Sequence, residues 1–516
     1  MSSKAVIKQS RKPVPLGLMI PVILLVVLTS LPLLYIVLRA QEAGLSHAMS
    51  LIFRTRVYQL LLNTLQLLVT VTLISTLIGV ASAWLIERTD LPKRKLFNAL
   101  VTLPFAVPAF ISSYSWISIF PQLEGFSGAV LVLTLCNYPL VHLPVAAALR
   151  GMDPALEETS RSLGFSRAQT FFKVLLPQLR PALLGGAILI SLHMLAEFGA
   201  LAFLNYETFT TAIFDQYYVA FDGASAAMLT LVLLILCVGV IGLEILLRGK
   251  HNHATQRQGS PGAQDQVILG WTKPWLLLAI LLLITLAAGV PLAVIGYWLL
   301  SGSSSAFHGQ EVLSALTTTL SFGFSGALLA TVFALPLVFL AVRFQGRLAN
   351  LAERLPYFIH SLPGLVIGLT LVFFAIRYAF FFYQTTPLLL IGYAMLFLPM
   401  AQSSIRATLM QIPPQLEEMA RSLGKSAWRV FIRITLPLMA PGLGAGLALV
   451  FLQIMKELTA TLLLRPTGID TLATKVWEHT SNAEYGASAP YAALLILISG
   501  LPVYLLTMRS FTRNTA

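Results

Sequence analysis

Apolar stretches of about 20 residues recur along the whole chain, and each is long enough to cross a hydrocarbon core of roughly 30 Å. Of the 516 residues, 57% are hydrophobic and only 11% charged, against about a quarter charged in ordinary soluble domains. A water-soluble fold could not hide that much apolar surface. Twelve spans are predicted, six in each half. The first six run from Leu16 to Leu38, Leu60 to Ile86, Leu96 to Phe120, Ala129 to Leu149, Pro181 to Leu204 and Ala224 to Leu247. The second six run from Pro274 to Leu300, Leu316 to Val342, Leu355 to Ile376, Leu388 to Ile405, Pro441 to Leu464 and Ala489 to Met508. The first span lacks a small-residue cleavage site after a short apolar core, so it reads as a retained helix rather than a signal peptide.

The formal net charge of +13 raises the question of nucleic acid, and its distribution answers it. With the N-terminus placed inside, 27 of the 34 Lys and Arg fall on segments of the same side, alternating with every second span. A nucleic-acid surface would not alternate in this way, so both termini are expected in the cytoplasm. The two cysteines, Cys136 and Cys237, lie within spans and read as small apolar fillers.

The chain also repeats itself. Glu157 to Pro181 reads EETSRSLGFSRAQTFFKVLLPQLRP, and 260 positions later Glu417 to Pro441 reads EEMARSLGKSAWRVFIRITLPLMAP. The offset continues from Ala196-Glu197 to Lys456-Glu457 and becomes 255 nearer the start of each half, where Asn63-Thr64-Leu65 pairs with Thr318-Thr319-Leu320. Each copy carries six spans in the same orientation, which places a pseudo-two-fold axis along the membrane normal. The polar stretch KHNHATQRQGSPGAQDQ between the halves reads as a linker.

Each repeated segment reads as a helix, a glycine turn and an amphipathic helix, a compact knob between two spans. The acidic pairs Glu157-Glu158 and Glu417-Glu418 suit a helix first turn, and Gly164 and Gly424 suit a left-handed cap. Leu176-Pro177 and Leu436-Pro437 are expected to end the second helix before the next span. By periodicity the segment fits either a docking knob or an interfacial helix resting on lipid headgroups. Gly424-Lys425-Ser426 mimics the end of a phosphate-binding loop, but Met419 stands where that loop needs glycine. No nucleophile, base or metal cluster is assembled by any motif, so no catalytic residue, metal ligand or cofactor is expected.

These segments resemble the EAA signature of binding-protein-dependent ABC importer permeases. In the second copy Glu418, Ala420, Gly424, Ile434, Leu436 and Pro437 match. In the first, Glu158, Gly164, Leu176 and Pro177 match, while Thr159, Ser160 and Val174 depart. The resemblance implies an all-α polytopic membrane protein of about twelve transmembrane helices, two parallel six-helix repeats with the type I importer permease fold. It implies that each knob docks on one of two copies of a separate ATP-binding subunit. A periplasmic solute-binding protein would deliver the cargo, the chain would sit multi-pass in a bacterial inner membrane, and no nucleic acid would be involved. The fused form with LAEFGALAFL after the first motif is most similar to the ferric-iron permeases. The related alternatives are thiamine or another small solute, and the alternative from another class is a secondary transporter driven by an ion gradient.

The domain reading is residues 1–58 for the tail, first helix and outer loop, and 59–248 for the first permease domain. Residues 249–273 form the linker and 274–311 the seventh helix with its loop, followed by a second permease domain at 312–509 and a tail at 510–516. Glu197 and Glu457 occupy equivalent places within spans, where an acidic residue costs about 2.5 to 3.5 kcal/mol at the centre. They either line the translocation path or, as the plainer alternative, hydrogen-bond neighbouring helices or brace the outer gate, with Lys456 as a local partner. The outer loop from Asn205 to Asp222, with Tyr206, Glu207, Asp215, Tyr217, Tyr218 and Asp222, could meet a binding protein or offer oxygens to ferric ion.

Overall fold

The computed structural model describes residues 14–152, 154–248, 266–301 and 309–512. The N-terminal tail, most of the linker with His251 and His253, and the last four residues lie outside the described residues. Among those described, the architecture is helical, with one isolated bridge between Thr89 and Val267 in place of any sheet. Among the described residues nine helices are long and apolar enough to span a membrane, or up to eleven when each of two bent pairs counts as one span. The helix Tyr485–Thr512, apolar over Tyr485–Gly500, occupies the place of the twelfth.

The spans carry large apolar side chains on their outward faces. Leu73 and Leu77 on one helix are 59% and 62% exposed, Ile235 on another 61%. Leaving such a side chain in water forgoes about 1.5 to 3 kcal/mol, so faces of this kind need a lipid solvent. The chain is thus a polytopic all-α membrane protein.

Two expected spans are not straight. Arg94–Ala106 and Ala109–Ile119 meet at 88°, and Arg347–His360 and Gly364–Tyr378 at 108°. Pro108 and Pro363 sit at these corners. Each lacks an N–H and holds the residue before it out of the α-helical region, so the backbone turns there.

The contacts divide the chain into two compact units. One comprises Met1–Leu38 with Ser314–Thr471, the other Arg39–Leu313 with Leu472–Ala516. This division by packing is not the division by repeat, because each unit takes its helices from both ends of the chain. In the larger unit the Thr55–Arg88 helix crosses the Pro139–Gly151 helix at Gly79, where an added Cβ would stand 2.9 Å from the Tyr138 carbonyl oxygen. Gly186 meets the same helix as closely, 2.9 Å from the Leu140 carbonyl oxygen. Small residues at such crossings let backbones approach in a bilayer, where van der Waals packing carries the association. The buried His142 is satisfied on both sides, Nδ1 at 2.9 Å from Ser82 Oγ and Nε2 at 3.0 Å from Asn98 Oδ1.

In the smaller unit Thr386–Leu409 packs along Leu436–Met455. Tyr393 meets Thr461 through their hydroxyls at 2.7 Å, and the Tyr35 ring lies 5.2 Å from Phe373.

Where the chain resumes after the linker, Val267 N–H donates to the Arg88 carbonyl at 2.8 Å, and Asp90 N–H donates back to Val267 at 3.2 Å. Asp90 then accepts from Leu269 N–H at 3.0 Å and Lys273 Nζ at 2.9 Å. Those two bonds hold the Asp90 carboxyl below the usual carboxylate range. The clamp ties the entry of the seventh span to the end of the second.

Candidate functional site

Both repeated segments fold alike. Pro154–Ser162 and Pro414–Ser422 are short helices, each followed by a glycine in the left-handed region, Gly164 at φ +85° and Gly424 at φ +76°. Gly164 N–H donates to Arg161 O at 2.9 Å and Phe165 N–H to Ser160 O at 3.2 Å; Gly424 to Arg421 and Lys425 to Ala420 repeat this at 3.0 and 3.2 Å. These bonds close the carbonyls that a helix end would otherwise leave open. Side chains 171–180 and 431–440 show the same succession of buried, half-buried and exposed positions, residue for residue.

The second arm of each knob corrects an expectation. Leu176-Pro177 and Leu436-Pro437 do not end it: a single π-turn, Phe171–Leu175 or Phe431–Thr435, leads unbroken into the long helix Leu176–Ala196 or Leu436–Met455. Leu176 N–H donates to Phe171 O, and Leu436 to Phe431. The wider turn shifts the hydrogen-bond ladder by one residue, which lets a proline without an N–H sit inside a continuous helix. Ala168–Ala196 and Ala427–Met455 are therefore single spans of 29 residues.

The two carboxylates of each acidic pair have different surroundings. Glu158 and Glu418 are exposed, as are Pro177 and Pro437; Leu176, Ile434 and Leu436 are half-buried, and Ala420 is buried. Glu157 and Glu417 turn inward to arginines at the ends of other helices. Arg88 Nη1 lies 2.8 Å from Glu157 Oε1, and Arg343 Nη2 lies 3.0 Å from Glu417 Oε1. Arg343 Nε donates to the same oxygen at 3.2 Å, Thr435 Oγ1 at 3.3 Å, and Arg343 Nη2 also donates to Ile412 O at 3.0 Å. These anchoring arginines escaped the sequence reading, although they recur at the offset of 255 in WLIER and FLAVR.

One departure in the first copy, Ser160, has a structural account. Ser160 stands where the second copy has Ala420, and its buried hydroxyl is 3.0 Å from that of Thr170. At the equivalent of Thr170 the second copy has Val430, also buried. A polar pair in one knob replaces an apolar pair in the other, so no buried hydroxyl is left unpaired. Beyond the anchors, each knob leaves apolar side chains exposed at and after its turn: Leu163 and Phe172 in the first, Leu423 and Trp428 in the second.

At the far end of each long helix the chain breaks at Glu197 or Glu457, so the expected spans to Leu204 and Leu464 are interrupted. The Glu197 carboxylate accepts Ala200 N–H at 2.9 Å and caps the short helix Gly199–Phe203; Glu457 accepts Ala460 N–H at 2.9 Å and caps Thr459–Leu464. Thr210 Oγ1 donates to the Glu197 carbonyl at 2.6 Å, and Thr461 Oγ1 to the Glu457 carbonyl at 2.6 Å.

Beyond the first break, residues expected in a loop form the helix Phe209–Tyr218. With Tyr114, Glu124, Trp477 and Tyr485 it borders a cavity of about 650 Å³. Burial and the neighbouring Glu207 push the Asp215 carboxyl above the usual range, with Arg56 opposing them. Asp222 accepts from the N–H groups of Ala224 and Ser225 and from the Ser225 hydroxyl, which leaves it a cap. Among the described residues no three His, Cys, Asp or Glu are arranged to hold a metal ion.

Comparison with known proteins covers nearly the whole chain. The family described as binding-protein-dependent transport system inner membrane component matches residues 14–249 and again 326–513. The Fe(3+)-transport system permease protein FbpB 2 of Haemophilus influenzae is 44% identical over 97% of this chain and 99% of its own length. The ferric transport system permease protein FbpB of Actinobacillus pleuropneumoniae is 25% identical over 84% of this chain and 69% of its own. The sulfate transport system permease protein CysT of Salmonella typhimurium is 34% identical over 24% of this chain and 51% of its own.

Proposed function

The chain belongs to the family of binding-protein-dependent transport system inner membrane components, and from that premise we propose that it carries iron(III) inward at the expense of ATP hydrolysed elsewhere. A permease of this family is a transporter and not an enzyme. In our reading a periplasmic protein delivers the metal, and two copies of an ATP-binding subunit each receive one knob. Both knobs and both termini face the cytoplasm, in keeping with the Lys and Arg count, and residues 59–248 and 312–509 serve as the two permease domains. The observation that carries the coupling role is the matching backbone build of the two knobs, each with an Arg–Glu anchor and with exposed apolar side chains at and after its turn. Exposed Glu158 and Glu418 and the turns at Gly164 and Gly424 form the docking faces. Ala420, Ile434 and the Leu-Pro pairs at 176–177 and 436–437 shape the arm behind them. Iron is the favoured cargo because a 44% identical relative is a Fe(3+)-transport permease.

Radioactive iron uptake into proteoliposomes holding the chain, its ATPase and its binding protein tests this. Accumulation is expected only with ATP and all three components. Thiamine uptake in place of iron would overturn the cargo, and uptake by the chain alone on a proton or sodium gradient would overturn the mechanism.

We propose further that Glu197 and Glu457 brace the outer gate through their caps. A glutamine keeps an acceptor for the capped N–H, whereas alanine removes it at about 0.5 to 2 kcal/mol. The double Gln variant is expected to retain most uptake and the double Ala variant to lose most of it. Equal loss in both would show instead that the charge is needed, as in a cargo path.

A further inference from the structure

We infer that the first knob encloses a binding site for an oxyanion carried on a small apolar body, and that the second knob lacks it. The inference does not depend on the cargo or on the transport reading. Arg88 is 4% exposed, yet its Nε and Nη2 have no hydrogen-bond acceptor among the described residues. In the second knob both equivalent nitrogens of Arg343 are bonded. A buried N–H without an acceptor costs about 1 to 3 kcal/mol, more on a charged group, so the first arginine is poised for one.

The space for it exists. Arg88 lines a cavity of about 360 Å³ with Trp84, Phe171, Leu175 and Val267, and Thr170 and Arg161 add a hydroxyl and a second guanidinium. That volume lies at the small end of ligand pockets, roughly 300 to 1,000 Å³. Two substitutions within the repeat account for the difference between the knobs. Ala168 stands where the second copy places Trp428, whose ring stacks 5.9 Å from Phe431. Leu175 stands where Thr435 donates to Glu417. The first copy therefore has a small side chain on the cavity wall where the second has a ring, and lacks the donor that would satisfy its carboxylate.

Charge favours an anion as the occupant. Two guanidiniums face one carboxylate, Glu157, in the cavity wall. Charge-assisted hydrogen bonds from buried guanidinium N–H groups to phosphate or carboxylate oxygens are about twice as strong as neutral ones. The aromatic and aliphatic walls suit a ring or short chain on the same molecule. A phosphate on an apolar body can come from an anionic lipid headgroup or from a soluble phosphate ester.

Phenyl phosphate serves as the probe, added to the purified full chain in uncharged detergent micelles while thermal unfolding is followed. A saturable rise of the midpoint by several degrees is expected, as for any ligand that binds only the folded state. Arg88→Met should abolish the rise. Because that variant also breaks an anchor, Ala168→Trp is the decisive one: it keeps both charges, places a large ring on the cavity wall, and should fold normally without responding. No rise in the wild type, or an equal rise in Ala168→Trp, would overturn the site. Repeating the titration in phosphatidylglycerol nanodiscs identifies the source: loss of the response there supports a lipid headgroup as the natural occupant, and retention supports a soluble ester.

Discussion

Replacing Arg343 with methionine is expected to destabilise the second knob by about 3 to 5 kcal/mol, because it strands a buried carboxylate. Glu417 is 6% exposed, and Arg343 donates to it twice, so no solvent replaces the lost partner. The rest of the unit has its own packing between Thr386–Leu409 and Leu436–Met455, so the chain should still insert. Limited proteolysis of the purified protein should cut within 414–426 in the variant at protease levels that spare the wild type, and ATP-driven uptake should fall at least tenfold. Adding Glu417→Gln removes the stranded charge and should return much of the protease resistance. Wild-type resistance and uptake in Arg343→Met would show that the anchor has no role in holding the knob.

The second expected result concerns the glycine turn and separates strain from bulk. At φ +76° any L side chain at Gly424 is strained by about 1 to 2 kcal/mol, while an added Cβ meets nothing within 4 Å. Gly424→Ala should therefore weaken the turn without blocking anything inside the protein. Gly424→Trp carries the same strain and projects a ring into open space, where a docked partner would sit. In co-purification with the ATP-binding subunit, alanine is expected to reduce recovery severalfold and tryptophan to abolish it, with membrane insertion unchanged in both. Undiminished association of the tryptophan variant would exclude the knob from the docking face. The same pair at Gly164, φ +85°, should behave alike if both knobs engage.

Much of this arrangement was legible because hydropathy and repetition are long-range signals that survive individual substitutions. The apolar runs mark the spans, and the Glu, Gly and Leu-Pro positions in register mark the knobs. What escaped the reading depends on local backbone chemistry or on pairs distant in sequence. A run such as Leu355 to Ile376 has the hydropathy of a straight helix, and the corner at Pro363 leaves that average almost unchanged. Leu-Pro reads as a helix end because an α-helix interior rejects proline, and only the π-turn before it removes the conflict. Arg88 and Arg343 look like ordinary basic residues flanking a span, because the carboxylates that bury them lie 69 and 74 positions later. Glu197 and Glu457 were visible as costly acids, but their task as caps needed the helix break, which no periodicity reveals.

The continuity of each knob with its span has a mechanical meaning. At 1.5 Å per residue, the 29 residues of Ala427–Met455 make a rod of about 43 Å, with the glycine turn just before one end and Glu457 two residues beyond the other. The helical backbone runs from the knob to Met455 without a break, so, if Glu457 braces a gate as we propose, a displacement of the knob has a continuous helical path to it. The π-turn fixes the phase of that transmission, since one extra residue in a turn rotates everything beyond it by about 100°. A single deletion between Phe431 and Thr435 would take that wider turn away, returning Pro437 to the conflict an α-helix interior has with proline and setting the two ends of the rod about 100° out of phase.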